Sequence, residues 1–188
     1  MTNLVRHIQN YVSLTDSEIK RINEDILVIS LKKKEFLLQE GSTCQSNYFV
    51  SQGCLRMYFI KENAKEQITQ FAIENWWISD YMSLSTQKSS SFYIQAIEDS
   101  EIMEFDTSSF ELLLEDVPKL ERYFRLVTQR AYAAAQFRIK FLYDLSREEL
   151  YHHFSSHFPE FVQRVPQYML ASYLGFTPEY LSELRKKR

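Results

Sequence analysis

The sequence predicts an α+β protein in which an antiparallel β region is followed by a long helix and a terminal helix-turn-helix. Short runs of aromatic and β-branched residues, separated by turn formers, fill residues 28–105. After Pro118, apolar residues recur in steps of three and four, as on a helix with a buried seam. The last 25 residues carry the small-residue, glycine and leucine order typical of a helix-turn-helix.

Composition excludes several classes of protein. The 188 residues are 45% hydrophobic and 15% aromatic, with only 3 Gly and 4 Pro, which excludes disordered and collagen-like chains. The uncharged apolar runs fall far short of a membrane span, and the N-terminus lacks the pattern of a secretory signal. Cys44 and Cys54 are too few for a disulfide framework or a four-cysteine metal site. We therefore expect a cytoplasmic protein.

Charge divides the chain into two parts. Residues 1–117 carry 10 Lys and Arg against 18 Asp and Glu, a balance of −8, whereas residues 118–188 carry 12 against 7, a balance of +5. This asymmetry indicates that the second part faces a polyanion. Chance clustering of solvated charges is the open alternative.

The first 117 residues are predicted as two short helices followed by the β region. Apolar residues at helical spacing cover residues 4–26, and Thr15 with Glu18 forms a capping box between the two helices. The strand runs are EFLLQ, NYFVSQ, CLRMYFI, EQITQFAI, FYIQAI and SEIMEF. Many short strands of this kind predict an antiparallel sandwich, roll or barrel. The polar segment 83–91 is predicted to be a loop that interrupts the series.

Residues 118–144 are predicted to form a dimerisation helix that separates domain 1–117 from domain 145–188. Pro118 suits the first helical position, and a capping box of Ser146 and Glu149 restarts the helix after a break near Asp144. A second copy of the helix would cover the heptad-like seam, and burial inside a monomer is the alternative. The predicted dimer residues are Leu120, Phe124, Val127, Ala131, Ala134 and Phe141.

The last helices carry the clearest functional pattern. Ala171 allows two helices to cross closely, Gly175 suits the positive φ of a turn, and Leu181 and Leu184 anchor the second helix. The opposite face of that helix is polar, as a helix that enters the major groove requires. An ordinary helical hairpin is the alternative. The predicted DNA-binding residues are Thr177, Glu179, Tyr180, Ser182, Glu183, Arg185 and Lys186, and Lys187 and Arg188 add phosphate attraction.

Taken together, these parts resemble the Crp/Fnr family of bacterial transcription regulators, in particular its small Bacteroidetes-type members. The resemblance covers nearly the whole chain. It is carried by LLQEG at residues 37–41, YFVSQGCLRMYF at 48–59, EQITQFAIENWW at 66–77 and ASYLGFTPEYLSELRKK at 171–187. It implies an eight-stranded roll of the cyclic-nucleotide-binding type that senses a signal, a homodimer, double-stranded DNA as partner, and RNA polymerase as a further partner.

The chain departs from this family at the cyclic-nucleotide pocket. Ser79, Asp80 and Tyr81 stand where a Gly-Glu-Leu helix start is found, and Ser90 and Ser91 stand where an Arg-Ser/Thr pair holds the phosphate. Without the arginine, tight binding of cyclic AMP is not expected. The pocket is predicted to be empty or to hold another small molecule, and no cofactor is expected. Its predicted lining is Phe59, Phe71, Ser79, Asp80, Tyr81, Ser90, Ser91 and Tyr93.

The recognition helix also departs from the family. Glu179 matches the family's base-contacting glutamate, but Pro178 and Glu183 stand where arginines are often found, and no wing is expected because the sequence stops at Arg188. A ligand- or protein-binding module that has lost sequence-specific DNA binding is therefore the alternative function. An enzyme is not expected, since the strand region has no histidine. His153 and His157 have a metal-ligand spacing but no third ligand, which favours a solvated helix face.

Overall fold

A computed structural model describes residues 2–186, which fall into two compact units. The first takes the residues up to Phe59 together with Gln70–Thr128, and the second takes Ile60–Thr69 together with the residues from Gln129 onward. The division lies inside the long helix rather than at either end of it. The predicted domain boundaries at 117/118 and 144/145 therefore stay predictions.

Two capped helices begin the first unit. Helix α1 spans Asn3–Gln9 and helix α2 spans Asp16–Glu24. The Thr15 hydroxyl accepts from the backbone N–H of Glu18 at 3.3 Å, and the Glu18 carboxylate accepts from the backbone N–H of Thr15 at 2.7 Å. The predicted capping box is thereby confirmed, because two of the N–H groups at the helix start are satisfied by local side chains.

The predicted β region is confirmed as eight strands in two four-stranded sheets. The strands are β1 Leu27–Leu31, β2 Phe36–Leu38, β3 Ser46–Gln52, β4 Leu55–Ile60, β5 Glu66–Ala72, β6 Trp77–Ile78, β7 Tyr93–Ala96 and β8 Ser100–Asp106. One sheet has the order β1-β8-β3-β6 and the other the order β2-β7-β4-β5. The pairs β1–β8, β3–β8, β3–β6, β2–β7 and β4–β7 are antiparallel.

Two apolar clusters stabilise the first unit. The interior of the roll is filled from strands of both sheets, by residues such as Val50, Met57 and Ile94. The second cluster joins the roll to the helices around it, and its polar centre is the Tyr123 hydroxyl. That hydroxyl accepts from Trp77 Nε1 at 2.9 Å and lies 2.8 Å from His7 Nδ1. Burial is tolerable for this hydroxyl because it has partners.

Three further helices follow in the chain, one after β6 and two after β8. Helix α3 spans Tyr81–Thr86, α4 spans Thr107–Asp116, and α5 spans Lys119–Asp144. The prediction of a loop over 83–91 was therefore wrong for its first four residues. Serine and threonine have only moderate helix propensity, but Asp80 caps the helix and fixes its first turn. The cap at Asp80 outweighs the weak helix propensity of the segment, and an argument from composition alone does not include caps.

Helices make up most of the second unit. They are α6 Arg147–His157, α7 Pro159–Arg164, α8 Gln167–Leu174 and α9 Pro178–Lys186. The predicted capping box of Ser146 and Glu149 is confirmed. Helix α7 was not predicted, although Pro159 suits the first position of a new helix. Among residues 2–186, no helix is both long and apolar enough to cross a membrane.

Gly53 provides a test of this packing. It has a φ of +99°, and a Cβ built there would lie 2.7 Å from the Cα of Ser100. Gly53→Ala should therefore lower the free energy of unfolding by at least about 2 kcal/mol, measured by urea denaturation. Gly41→Ala is the control: its φ is +87°, but a Cβ there meets nothing within 4 Å. It should cost about 1 kcal/mol. Equal effects would contradict the assigned packing.

Candidate functional site

Asp80 is the central residue of the predicted effector pocket. Its Oδ1 accepts from the backbone N–H groups of Met82 and Ser83, both at 3.1 Å, and its Oδ2 accepts from the Ser90 hydroxyl at 2.6 Å. Asp80 and Ser90 are both buried. The expected bond from a hydroxyl to Asp80 is thus made within the chain. Both carboxylate oxygens are occupied, Oδ1 by donors that fix the start of α3 and Oδ2 by the Ser90 hydroxyl.

The segment after α3 is held by a second set of bonds. The Ser83 hydroxyl donates to the carbonyl of Lys88 at 2.5 Å and accepts from the backbone N–H of Cys44 at 2.9 Å. Ser90 exchanges backbone bonds with Gly41 and Ser42, at 2.9 and 2.8 Å. Burial raises the pKa of the Cys44 thiol, which therefore remains protonated at neutral pH.

A cavity of about 260 Å³ lies between α3 and this segment. Its volume is below the range of about 300–1,000 Å³ typical of small-molecule pockets. Lys88 is the cation of the lining, which contains no arginine, so a cyclic phosphate would lack its bidentate partner. The residues present therefore do not fit a cyclic nucleotide well. The lining is Asp80, Met82, Ser83, Thr86, Lys88, Ser89, Ser91 and Phe92.

The predicted pocket residues are only partly brought together. Asp80 and Ser91 line the cavity, Ser90 bonds to Asp80, and the Phe59 ring lies 6.2 Å from that of Phe92. Phe92 and Ser83 were missed, because the turn geometry that gathers them has no signature in the sequence, whereas Lys88 was considered only as a poor substitute for the missing arginine.

Four of the predicted pocket residues lie elsewhere. Ser79 donates within the sheet, to the carbonyls of Ile78 and Ser46. The Tyr81 side chain is 57% exposed. Tyr93 and Phe71 alternate with the inward residues Ile94 and Ala72, so their side chains belong to the outer face of the sheet. The Tyr93 ring stacks there on Tyr58 at 5.0 Å. Placing these two residues in the pocket was wrong by one position of register, which reverses the face.

The helix-turn-helix has the geometry that the sequence predicts. Gly175 ends α8 with a φ of +78°, and the N–H of Phe176 donates to the carbonyl of Ala171 at 2.8 Å. Thr177 caps α9, since its hydroxyl accepts from the N–H of Tyr180 at 3.2 Å. Leu181 and Leu184 are buried against α6 and α8 residues. This burial fixes which side of α9 is turned to solvent.

The exposed side of α9 is polar and carries both signs of charge. Thr177, Glu179, Ser182, Glu183, Arg185 and Lys186 are all exposed. Tyr180 is half-buried instead, with its ring 5.6 Å from that of Phe176 and beneath the Arg147 guanidinium. The predicted contributions of Lys187 and Arg188 lie outside the described residues.

The Glu179 carboxyl is ionised and can accept hydrogen bonds. Its own backbone N–H lowers the pKa of its carboxyl most, followed by the Thr177 hydroxyl and by the charge of Lys65. The carboxylate is therefore ionised at neutral pH, in the first turn of α9, where the helix dipole favours negative charge. Such a group can accept from an exposed base amine.

The long helix divides its apolar residues between different partners. Leu120 is 1% exposed and belongs to the core of the first unit, and Phe124 and Val127 are partly buried against the same core. Phe141 packs against the helix-turn-helix cluster. Assigning Leu120 to a dimer face was therefore wrong. Ala131 and Ala134 are exposed, as a dimer contact requires.

A different apolar stripe on α5 is exposed to solvent. Tyr132, Ile139 and Leu142 are between 43% and 65% exposed, and Tyr143 is 89% exposed. With Ala135 they follow steps of three and four along one side of the helix. The sequence alone did not identify this stripe, because two adjacent stripes fit the same spacing.

The histidine pair lies on α6. The His153 and His157 rings are 4.2 Å apart, and His157 Nδ1 lies 2.8 Å from the carbonyl oxygen of His153. His153 also lies 4.4 Å from the Phe141 ring. Within residues 2–186, no group of three or more His, Cys, Asp or Glu side chains is arranged to hold a metal ion.

Comparison with known proteins relates the chain to bacterial regulators. Residues 28–117 match the cyclic nucleotide-binding domain family. The chain is 27% identical over 167 residues to the anaerobic regulatory protein of Pasteurella multocida, covering 82% of this chain and 60% of that protein. It is 26% identical over 165 residues to the regulatory protein HlyX of Actinobacillus pleuropneumoniae, covering 82% and 68%. The chain thus spans about 60% of the first relative's length, and both relatives are regulators rather than enzymes.

Solved structures share the fold. FixK2 from Bradyrhizobium japonicum matches with a TM-score of 0.70 at 19% identity, over 86% of this chain and 83% of that one. The c-di-GMP-responsive global regulator CLP of Xanthomonas campestris matches with a TM-score of 0.73 at 15% identity, over 92% and 91%. These likenesses confirm the roll followed by helices that the sequence predicts.

The role of Asp80 can be tested by stability. Asp80→Ala removes a helix cap and leaves the buried Ser90 hydroxyl with only the longer bond to the Phe92 carbonyl, so the free energy of unfolding should fall by about 1–3 kcal/mol. Urea denaturation followed by tryptophan fluorescence reports on the roll, which contains Trp76 and Trp77. Asp106→Ala is the control, since Asp106 also caps a helix but is exposed. A cost for Asp80→Ala no greater than for the control would contradict this role.

Proposed function

Because this chain belongs to the Crp/Fnr family of regulators, we propose that it is a dimeric regulator that binds double-stranded DNA through α9. The exposed polar side of α9, opposite the buried Leu181 and Leu184, is the observation that carries this proposal. A helix anchored on one side by two leucines and polar on the other can enter a major groove without exposing its core. RNA polymerase, the further partner implied by the resemblance, stays a prediction.

The charged residues of α9 suggest two kinds of contact with DNA, one to bases and one to phosphates. Glu179 is ionised and lies in the first turn, where its carboxylate can accept from cytosine N4. Arg185 and Lys186 lie in the last turn, where their charges suit phosphate contacts. The first group of contacts would specify sequence, and the second would supply affinity that salt weakens.

The exposed stripe on α5 supports the dimer. A helix in water with Tyr132, Ile139, Leu142 and Tyr143 on its surface is stabilised when a partner covers them. Ala135, at the middle of the stripe, permits close approach of a second helix. A parallel pair of α5 helices would present two α9 helices, which on DNA need to lie about 34 Å apart, one duplex turn.

The bonding of Asp80 supports a pocket that no longer binds cyclic AMP tightly. A ribose hydroxyl would have to displace Ser90 or a backbone N–H, each of which is already at 2.6–3.1 Å. We infer that any effector of this protein has different chemistry and enters the small cavity near Lys88. Binding there would act by moving α3 and the segment after it.

The proposed function is tested first by selecting DNA. When the full chain is mixed with a random library of DNA duplexes, it should select duplexes of one sequence pattern. Its affinity for the selected duplexes should fall steeply as the salt concentration rises. Glu179→Ala should weaken binding to the selected duplex by about 1–3 kcal/mol and relax specificity, because one base contact is lost. Fluorescence anisotropy measures both effects.

Glu160→Ala is the matched control for charge, since Glu160 is an exposed glutamate of α7. It should leave specificity unchanged. If no duplex is retained even at low salt, the regulator is excluded and the alternative of a ligand- or protein-binding module gains support. That alternative is motivated by Pro178 and Glu183, which stand where arginines are expected.

The dimer has a separate test on α5. Ala135→Glu would place a charge in the middle of the exposed stripe, so the protein should become monomeric in analytical ultracentrifugation. Ala133→Glu is the matched control, because Ala133 is also an exposed alanine but lies on the other side of α5. It should remain dimeric. Dimers of equal strength in both variants would place the interface elsewhere.

A further inference from the structure

The hairpin segment 60–69 docks against the helix-turn-helix within the second unit. Strand β5 lies at the edge of its sheet, so part of its backbone lacks a neighbouring strand. The Ser172 hydroxyl of α8 accepts from the N–H of Ile68 at 3.0 Å and donates to the carbonyl of Glu66 at 2.9 Å. The Gln67 side-chain amide donates to the carbonyl of Ser172. One residue of α8 therefore meets three consecutive residues of β5.

Arg138 of α5 holds the far end of the same segment. Its guanidinium donates to the carbonyl of Tyr173 at 2.9 Å and to the carbonyl of Thr69. It also lies 4.0 Å from the centroid of the Tyr173 ring. The planar fork of an arginine suits such a bridge, because several donors are fixed in one plane. The hairpin is thus fixed to α8 at two places.

The tip of the hairpin carries two lysines that face each other. The N–H of Lys61 donates to the carbonyl of Lys65, and the N–H of Ala64 donates to the carbonyl of Lys61, both at 2.9 Å. Lys61 and Lys65 are therefore opposite each other across the turn, and both are exposed. Like charges in this position repel, at a cost of a few tenths to about 1 kcal/mol. A nearby anion would relieve the repulsion.

The hairpin also brings positive charge near α9. Side chains alternate along a strand, and in β5 the Gln67 side chain lies on the face that meets α8. The acidic neighbour Glu66 alternates to the opposite face. The charge of Lys65 also reaches Glu179, whose pKa it helps to lower. Lys65 is therefore near the first turn of α9, and Lys61 lies opposite Lys65 across the turn.

We propose that Lys61 and Lys65 form a second DNA-contacting element, which binds backbone phosphates flanking the groove that α9 enters. This proposal rests on the proposed function. It assigns the hairpin a role in affinity rather than in sequence reading, because lysine acts on a phosphate as a point charge. The docking by Ser172 and Arg138 fixes where the two charges lie relative to α9.

The double variant Lys61→Ala/Lys65→Ala tests the contact in the full-length protein. Binding to the selected duplex and to unrelated duplexes should weaken alike, and the plot of log affinity against log salt should become shallower. The expected change is about 0.9 per lost contact, hence up to about 4 for the four lysines of a dimer. Lys20→Ala/Lys33→Ala is the matched control, because it removes two exposed lysines of the first unit. Its slope should equal that of the wild type.

Ser172→Ala separates position from net charge. It removes no charge but deletes the hydroxyl that bridges Glu66 and Ile68, so the slope should shift in the same direction. Wild-type binding by this variant would overturn the claim that docking positions the lysines. Equal slopes for the Lys61/Lys65 and control variants, or tighter binding by the former, would overturn the DNA contact while leaving the proposed function intact. If the wild type binds no DNA, both proposals fail.

Discussion

An apolar stripe on a helix is stable in water only when other residues bury it. Helix α5 carries several such stripes, and the described part of the chain buries only some of them. Its first turns bury Leu120 and Tyr123 in the core of the first unit, and Phe141 near its end packs among the helices of the second. Between and beside these contacts, Tyr132, Ile139, Leu142 and Tyr143 remain in water. Covering them by a second α5 removes apolar surface from water, which is the main favourable term in association. In the proposed dimer, that covering would bring two copies of α9 into one assembly.

The local features of this chain are predictable from its sequence, because each depends on residues a few positions apart. The capping boxes at Thr15 and Ser146, the left-handed Gly175 and the cap at Thr177 all fall where the sequence places them. The pattern of aromatic runs likewise identifies most strands of the roll. Helices α3 and α7 are exceptions; in α3 a single cap outweighs the composition of the segment that follows it.

The pocket and the dimer stripe are less predictable, because both depend on which side of an element faces the interior. The pocket assignments of Tyr93 and Phe71 were displaced by one residue, and a shift of one residue turns a side chain to the other face of a strand. The assignment of Leu120 to the dimer face was wrong because a heptad pattern gives the spacing of an apolar stripe but not the surface that it packs against. The docking of the hairpin on Ser172 has no signature at all, since a serine that bridges the edge of a strand cannot be distinguished from any other helical serine.

Charge determines how such a protein meets DNA. The acidic first part and the basic second part make approach by the second part favourable, and this steering weakens as salt rises. Glu179 and Glu183 nevertheless bring two negative charges to the proposed reading surface, where phosphates repel them. Binding is then favourable only if each carboxylate finds a base amine or if nearby cations offset it. On DNA that offers no base amine at these positions, the two carboxylates add little binding free energy. The sequences that this surface binds most tightly are therefore also the ones that it distinguishes best.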